Sequence, residues 1–187
     1  AKKAGAKPLK LLASPWSPPA WMKASGKMCK RGDGLLPEYF EAWARYFVRF
    51  AEELEAKKLP LWGFTVQNEP DNLDAAWETC AIPAEEERDF VRFYLGPALE
   101  RAGFADPPRI IVWDHNYNGM IERARTIYEE PTTAGYVWGM GFHWYGEQLQ
   151  QNVQYVHDMY PDKHLIFTEG CMEEGVYLGD WRLGEIY

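Results

Sequence analysis

The chain is predicted to fold as an α/β protein built on a parallel sheet, and three observations support that fold class. Short apolar runs alternate with longer segments whose apolar residues recur every three or four positions. The short runs are nearly continuous in Leu, Ile, Val and Phe, which is typical of strands buried on both faces. Two of these runs lead into a glutamate, Glu69 or Glu169, beside a proline or a glycine that marks a turn.

Five strands are predicted, each in a short apolar run that ends at a turn. The first four are each followed by a helical pattern, so the order is that of parallel strands joined by crossover helices. The predicted strands are Leu9–Ala13, Leu61–Val66, Ile110–Asp114, Gly139–Trp144 and Leu165–Thr168.

The predicted helices are recognised by their first residues and by an apolar face. Pro37 suits the first position of the first helix, whose apolar face is Phe40, Trp43, Phe47, Phe50 and Leu54. The second begins near Pro83–Ala84. Glu85–Glu87 in its first turn favour the positive end of the helix dipole, and we expect them to form a solvated face. Pro97 is expected to kink this helix. The other predicted helices are Met120–Glu130 and Val153–Tyr160.

Part of an eight-stranded barrel fits this pattern better than an open doubly wound sheet. An open sheet usually carries a glycine-rich phosphate-binding turn after its first strand, and here that position holds Ser14–Pro15–Trp16. A complete (β/α)8 barrel typically needs about 250 residues, more than this chain contains. We therefore expect a partial (β/α)8 TIM barrel, with residues 1–187 forming a single domain that is an internal piece of a longer barrel.

The composition excludes several classes of partner. The formal net charge is −8, and basic residues cluster only at Lys2, Lys3, Lys7 and Lys10, so nucleic acid is not expected to bind. No apolar run approaches the roughly 20 residues of a membrane helix, and no signal-peptide pattern follows the first lysines. Nine tryptophans and eleven tyrosines instead favour an aromatic-lined binding groove.

The histidines and cysteines are not spaced as metal ligands. None of the four histidines lies in HExxH or another ligand spacing, so we predict no metal and no cofactor. Cys29, Cys80 and Cys171 are too few and too scattered for a disulfide framework, and whether any two of them pair stays open. We expect Cys171 to be a small buried filler.

Glu69 and Glu169 are the candidate catalytic residues. The carboxyl ends of parallel barrel strands meet at one rim, where the active sites of such barrels lie. A retaining glycosidase needs two carboxyl groups about 5–5.5 Å apart, one protonated and one ionised. Two glutamates that each follow a buried strand therefore predict a glycosidase pair.

Five segments of the chain together resemble one enzyme family. Leu12–Lys23, Thr65–Pro70 and Phe167–Cys171 resemble a hallmark segment, the acid/base segment and the nucleophile segment of glycoside hydrolase family 30, which includes the glucosylceramidases. Trp113–Asn116 and Phe142–Tyr145 match the family in order and spacing. The resemblance implies a (β/α)8 barrel with a side β-domain, of which this chain holds strands 3 to 7. Strands 1, 2 and 8 and the side β-domain are then expected to be lacking here.

The resemblance also implies roles for the two glutamates and their neighbours. Glu69 is the expected acid/base, and Glu169 the nucleophile that forms a glycosyl–enzyme ester. We expect apolar surroundings and repulsion from ionised Glu169 to keep Glu69 protonated. Asn68 is placed to hydrogen-bond the sugar 2-hydroxyl. Asp114 and His115 are expected to form a charge network behind the site.

Five more residues are candidates to bind the sugar or to support the nucleophile. Trp16 is expected to stack on the sugar and Trp77 to line the aglycone side, with packing under their loops as the alternative for both. Tyr145 is a candidate to hydrogen-bond the nucleophile or the sugar ring oxygen. His143 and Trp144 flank Tyr145 and are expected to support the nucleophile from below.

The leading hypothesis is a retaining β-glycosidase that acts on β-glucosides. Glucosylceramide-like or aryl glucosides, β-1,6-glucan and xylose-based polymers stay open as substrates, and Trp77–Cys80 with Glu85–Phe90 favours the members active on glucans and glucosides. The alternative, from another functional class, is a catalytically incomplete barrel that binds carbohydrate without cleaving it. The resemblance implies a secreted, periplasmic or lysosomal protein, and the oligomeric state stays open.

Overall fold

A parallel five-stranded sheet is the framework of the computed structural model, which describes residues 9–29 and 33–171. The strands lie in chain order, and every neighbouring pair is parallel. This topology confirms the predicted α/β fold class, a partial (β/α)8 TIM barrel. Every strand boundary lies within two residues of its prediction. The strands are β1 Leu11–Ala13, β2 Leu61–Thr65, β3 Arg109–His115, β4 Val137–His143 and β5 His164–Glu169.

Helices cover the sheet and bury its apolar side chains. Phe47 of the first helix packs on Phe64 of β2 with ring centroids 4.8 Å apart, whereas Phe50, predicted to share that apolar face, is 42% exposed. Within the described residues, no helix combines the length and the apolar character that crossing a bilayer requires. A 3₁₀ turn, Pro37–Tyr39, leads into the first helix. The helices are α1 Phe40–Ala56, α2 Ala84–Phe90, α3 Gly96–Ala102, α4 Met120–Tyr128, α5 Pro131–Tyr136 and α6 Gln151–Met159.

The helical segment after β2 is interrupted near Pro97, as predicted. A π-helical turn, Val91–Leu95, separates α2 from α3. Proline has no backbone N–H and its ring crowds the preceding turn, so a regular helix cannot run through it unchanged. The π turn absorbs this mismatch while the helical segment continues.

The helix predicted over Met120–Glu130 is confirmed as α4, which ends two residues earlier, at Tyr128. A second short helix, α5, begins at Pro131 and was not predicted. The Glu130 side chain caps α5 by accepting a hydrogen bond from the Thr133 N–H at 2.6 Å. A proline in the first turn after a capping side chain starts a new helix, and this break separates the two.

Strand β3 carries a bulge close to its carboxyl end. Its register against β4 shifts between Trp113 and His115, and the φ angles of Trp113 and Asp114 are 72° and 51°. Positive φ is uncommon for residues with a side chain and is retained only where surrounding contacts enforce it. Of the four such residues in the described part of the chain, Lys58 follows α1 and Glu69 follows β2 with a φ of 48°. Three of the four strained residues therefore cluster at one end of the sheet.

The single-domain prediction for residues 1–187 stays a prediction. Residues 1–8, 30–32 and 172–187 lie outside the described part of the chain, and Lys2, Lys3 and Lys7 of the predicted basic cluster are among them.

Candidate active site

The carboxyl-terminal rim of the sheet gathers the charged side chains of the candidate site. Glu69 follows β2, Asp114 and His115 end β3, His143 ends β4, and Glu169 ends β5. His143 and Glu169 are register partners across the β4–β5 pair. The fold thus brings both predicted catalytic glutamates to the same end of the sheet, with two histidines on the strands between them.

Glu69 is 7% exposed, and hydrogen-bond donors surround its carboxylate. Asn72 Nδ2 donates to Glu69 Oε2 at 2.8 Å, His143 Nδ1 lies 3.4 Å from Oε1, and His115 Nδ1 lies 3.7 Å from the same oxygen. The Glu69 backbone N–H donates to the carbonyl of Asp114 at 2.9 Å. These contacts hold both the strained backbone and the carboxylate of Glu69 in one orientation.

His143 connects Glu69 to Asp114. Its side chain is fully buried, Nε2 lies 3.0 Å from Asp114 Oδ1, and the other Asp114 oxygen accepts a hydrogen bond from Thr65 Oγ1 at 2.6 Å. Burial lowers the pKa of His143, but hydrogen bonds to Asp114 and Glu69 and the charges of Asp114 and Glu169 outweigh burial and raise the pKa to about 9. At neutral pH His143 is therefore an imidazolium that donates from both ring nitrogens. The predicted charge network behind the site is confirmed for Asp114.

His143 lies between Glu69 and Asp114 and is also the register partner of Glu169. Its expected roles, support of the nucleophile and contact with substrate, stay predictions. One expectation about Glu69 is wrong. Apolar surroundings were expected to raise the pKa of Glu69. Burial does raise it, but hydrogen bonds from His143 and Asn72 and the nearby charges of His115 and His143 outweigh burial, so the pKa is lowered. Asn72 lies only three residues after Glu69, whereas the two histidines come from other strands, which inspection of one segment cannot reveal.

Glu169 is half-buried and has different neighbours. Tyr145 donates from its hydroxyl to Glu169 Oε1 at 3.2 Å, a contact the sequence predicted. Burial and contacts with Cys171 and Glu169 raise the pKa of Tyr145, so the phenol stays a donor. Trp144 packs on Phe167 of β5 with ring centroids 5.8 Å apart. The prediction that Cys171 is buried is wrong: it lies just beyond β5, is exposed, and has its Sγ 3.1 Å from the Tyr145 hydroxyl.

Two tryptophans stand beside each other in the loops that follow β1 and β2. The ring centroids of Trp16 and Trp77 are 6.5 Å apart, and the residues are 39% and 43% exposed. Gln67 Nε2 donates to the carbonyls of Trp16 and Asn68, which ties the two loops together. Asn68 is 3% exposed, and its backbone N–H donates to the Pro15 carbonyl at 2.9 Å. The surplus of aromatic residues thus includes a partly exposed pair next to the residue that precedes Glu69.

Sequence inspection missed two buried charges near the site. Glu87 was expected on a solvated face, but it is fully buried, and Arg123 of α4 is 3% exposed. The two side chains pair, with Arg123 Nη1 3.1 Å from Glu87 Oε2. A signal was present in the sequence: Glu87 precedes Phe90 and Val91 by three and four positions, so it lies on their buried helical face.

Glu69, His115 and His143 also form a group that could hold a metal ion. Each places one ligand atom within 4.8 Å of the others. The three residues come from the ends of three strands, which is why sequence spacing did not reveal them. His115 Nδ1 is buried and has no hydrogen-bond partner in the described part of the chain. The distances are those of histidine–carboxylate contacts, and Asn72 and His143 already hydrogen-bond the carboxylate.

Comparison with known sequences identifies one family along nearly the whole chain. The model of the glycosyl hydrolase family 30 TIM-barrel domain matches residues 1–186. Putative glucosylceramidase 4 of Caenorhabditis elegans is 36% identical over 191 residues, which cover 96% of this chain and 37% of the relative. Lysosomal acid glucosylceramidase of Mus musculus is 30% identical over 201 residues, which cover 100% of this chain and 39% of the relative. The chain therefore spans under two fifths of the length of these relatives.

Two solved structures share the fold of this chain. SrfJ from Salmonella typhimurium superposes with a TM-score of 0.84 at 35% identity, covering 91% of this chain and 38% of that chain. An endo-β1,6-glucanase superposes with a TM-score of 0.79 at 31% identity, covering 88% of this chain and 38% of that chain. The five-stranded sheet described above is thus similar to part of each of these larger proteins.

Proposed function

The chain belongs to glycosyl hydrolase family 30, and on that premise we propose that it carries the catalytic centre of a retaining β-glycosidase. Glu69 is the acid/base, Glu169 is the nucleophile, and the bond cleaved is a β-glucosidic bond. The observation that carries the proposal is the presence of two glutamates at one rim of the sheet in unlike surroundings. Glu69 is buried among donors, and Glu169 is half-buried beside Tyr145.

The first step forms a glycosyl–enzyme ester. The Glu169 carboxylate attacks the anomeric carbon, and the bond between that carbon and the leaving oxygen breaks. Glu69 gives its proton to the leaving oxygen. The Tyr145 hydroxyl, 3.2 Å from Glu169 Oε1, stabilises the ionised nucleophile and orients it.

The second step returns the free enzyme. Glu69, now ionised, takes a proton from water as the water oxygen attacks the anomeric carbon, and the ester bond to Glu169 breaks. Two inversions at the same carbon leave the sugar with its original configuration. Glu69 therefore has to lose and regain a proton in each cycle.

The protonation of Glu69 depends on its neighbours. Without substrate, His143 and Asn72 favour the ionised carboxylate. A sugar and its aglycone exclude water from the site, which disfavours the charged form of a carboxyl group and raises its pKa. The His143 imidazolium, 3.4 Å from Glu69 Oε1 and held by Asp114, keeps a proton within hydrogen-bonding reach of the carboxylate. The two groups titrate as a pair.

The aromatic residues give the site its sugar-binding surface. Trp16 stacks on the apolar face of the sugar to be cleaved, and Trp77 lines the aglycone side. Their partial exposure and their 6.5 Å separation support this role. Asn68 binds the sugar 2-hydroxyl, and Trp144 packs on Phe167 of β5, the strand that Glu169 ends.

The substrates are β-glucosides, and the partner is therefore a carbohydrate or a glycolipid. Relatives described as glucosylceramidases support a glucosylceramide-type substrate, and the structure described as an endo-β1,6-glucanase supports a β-1,6-glucan. The relative described as lysosomal supports a compartment outside the cytosol, either lysosomal or secreted.

A second candidate function is carbohydrate binding without cleavage. It is favoured by the partial exposure of Trp16 and Trp77, whose rings can pack on a sugar whether or not the two glutamates act on it. An error of about 1 Å in the position of a catalytic group costs about a hundredfold in rate, so binding can persist where cleavage does not. The exposed tryptophans would still bind sugar.

Azide rescue of two alanine variants tests the proposed roles, in the longest natural protein that contains this sequence. With Glu69→Ala, azide attacks the glycosyl–enzyme ester, so we expect a β-glucosyl azide. With Glu169→Ala, azide attacks the substrate directly, so we expect an α-glucosyl azide. An α-glucosyl azide from Glu69→Ala and a β-glucosyl azide from Glu169→Ala would mean that Glu69 is the nucleophile and Glu169 the acid/base. An active wild-type protein whose two variants keep full activity without azide would overturn the proposal.

A further inference from the structure

A buried ion pair lies on the helical side of the site. Glu87 of α2 is fully buried, Arg123 of α4 is 3% exposed, and Arg123 Nη1 is 3.1 Å from Glu87 Oε2. Replacing a buried ion pair by apolar residues is often neutral or stabilising, so its presence is weak support for a role in stability alone. A role other than stability is therefore to be sought in the contacts that the pair makes.

The contacts of the pair reach the segments on either side of Glu69. Glu87 Oε1 accepts a hydrogen bond from the Trp113 N–H at 3.2 Å. Arg123 Nη2 donates to Asp71 Oδ1 at 2.8 Å, and Asp71 follows Glu69 by two residues. Arg123 Nη1 also donates to the Ile82 carbonyl at 2.8 Å. The pair therefore anchors both the loop after Glu69 and the bulge that faces it.

The bulge is the place where this anchoring matters most. Trp113 and Asp114 have positive φ angles, a conformation that persists only where surrounding contacts enforce it. Glu87 holds the Trp113 N–H, and the Arg123 guanidinium lies 4.9 Å from the centroid of the Trp113 ring. From the other side, Asp114 accepts the Glu69 N–H with its carbonyl and contacts His143 with its carboxylate. The ion pair therefore holds the bulge in place, and the bulge in turn holds the backbone of Glu69.

We propose that Glu87 and Arg123 are positioning residues for the acid/base Glu69, acting through the Trp113–Asp114 bulge and through Asp71. The inference rests on the proposed roles of Glu69 and Glu169. The described contacts of the pair do not include Tyr145 or Glu169. Loss of the pair should therefore impair proton transfer and spare nucleophilic attack.

Leaving groups of different quality separate these two effects. A phenyl β-glucoside needs a proton on its leaving oxygen, whereas a 2,4-dinitrophenyl β-glucoside leaves without one. The value of kcat/KM reports the first step for both substrates. For Glu87→Gln and Arg123→Met in the longest natural protein with this sequence, we expect kcat/KM to fall about tenfold or more with the phenyl glucoside. We expect a change of less than about threefold with the dinitrophenyl glucoside.

A conservative variant and a matched control sharpen the test. Arg123→Lys keeps the charge but not the planar fork that reaches Glu87 and Asp71 together, so an intermediate loss is expected. Thr133→Val removes a fully buried hydroxyl that bonds Glu130 and the Arg88 carbonyl, away from Glu69. It should lower the melting temperature and leave the ratio of the two kcat/KM values at the wild-type value.

Two results would overturn the inference. One is an equal loss on both substrates in Glu87→Gln and Arg123→Met, as a general loss of folded protein would give. The other is a kcat/KM at the wild-type value on both substrates in properly folded variants. Failure of the proposed function is distinguishable, because the wild-type protein would then hydrolyse neither glucoside, or Glu69→Gln would lose activity on both equally.

Discussion

Glu69 and Glu169 end up at the same rim of one sheet, yet the two regions around them are built differently. Glu69 has a strained backbone and is 7% exposed, and its carboxylate contacts Asn72 after β2 and the histidines that end β3 and β4. Glu169 ends β5, the outermost strand of the described sheet, is half-buried, and accepts a hydrogen bond from Tyr145. Glu69 is thus the more buried of the two glutamates and has more charged neighbours than Glu169.

This difference matches the chemistry proposed for each residue. An acid/base changes its protonation twice in a cycle, so its surroundings must set both the position and the affinity of a proton. A nucleophile has to stay ionised and reach a carbon atom. A buried histidine–aspartate network suits the first requirement, and a neutral phenol beside an accessible carboxylate suits the second.

The largest expected effect comes from removing one neighbour of each glutamate. His143→Gln removes the imidazolium beside Glu69, and we expect a loss on the order of a hundredfold in kcat/KM on phenyl β-glucoside. Tyr145→Phe removes the hydrogen bond to Glu169, and we expect about a tenfold loss. Steady-state kinetics with phenyl and 2,4-dinitrophenyl glucosides measures both. For His143→Gln, the loss in kcat/KM should be smaller on the dinitrophenyl glucoside than on the phenyl glucoside, and for Tyr145→Phe it should be the same on both. A smaller loss on the dinitrophenyl glucoside in Tyr145→Phe alone would contradict the comparison.

A smaller effect is expected in the pH dependence of stability. The pKa of His143 rises from 6.5 to about 9 on folding. Its contribution to the free energy of unfolding is therefore complete below about pH 6.5 and is lost as the pH rises through about 9. We expect this loss to be on the order of 3 kcal/mol. Denaturant unfolding between pH 6 and pH 10 tests it, with His143→Gln as the control. An equal loss of stability in the variant would contradict the assignment.

Glu69 contributes at the opposite end of the pH scale. The pKa of Glu69 is lowered in the folded protein. Its contribution to the free energy of unfolding is therefore present above its ordinary pKa of 4.5 and is lost as the pH falls through its pKa in the folded protein. The same unfolding series, continued into acid, should show wild type losing more stability than Glu69→Gln. No difference between the two proteins would mean that the donors around Glu69 do not favour its charge.

The smallest effect is expected at Cys171. Its thiol is exposed and lies 3.1 Å from the Tyr145 hydroxyl, on the side of Glu169. Cys171→Ser should change the free energy of unfolding by less than about 0.5 kcal/mol and kcat/KM by less than about threefold, since the Tyr145 bond to Glu169 is retained. A loss as large as that of Tyr145→Phe would show that the nucleophile depends on more than its phenol.

The parts of this molecule that could be predicted depend on local patterns. The strands follow from continuous apolar runs, and both glutamates follow from their position at the end of such a run. The contact between Tyr145 and Glu169 was one of two roles that the family resemblance implied for Tyr145, the other being a hydrogen bond to the sugar ring oxygen. The Trp113–Asp114 bulge was not, because nothing in the segment itself favours positive φ there, and contacts from Glu87 and Thr65 are what support it.

The electrostatics of the site could not be predicted for the same reason. Inspection of the residues before Glu69 finds apolar side chains and suggests a raised pKa, whereas hydrogen bonds from His143 and Asn72 and the charges of His115 and His143 outweigh burial. The burial of Glu87 was hidden by its two acidic neighbours, which suggested a solvated face. The contacts from His115 and His143 come from strands distant in sequence, whereas Asn72 and the helical spacing of Glu87 were local signals that the prediction did not use.

Trapping of the glycosyl–enzyme ester tests the division of roles most directly. The longest natural protein that contains this sequence is incubated with 2,4-dinitrophenyl 2-deoxy-2-fluoro-β-glucoside, and its mass is measured before and after proteolysis. We expect one fluoroglucosyl group on the peptide that contains Glu169, none in Glu169→Gln, and labelling that persists in Glu69→Gln because this leaving group needs no proton. A label on Glu69, or an active protein that labels equally in all three forms, would contradict the account.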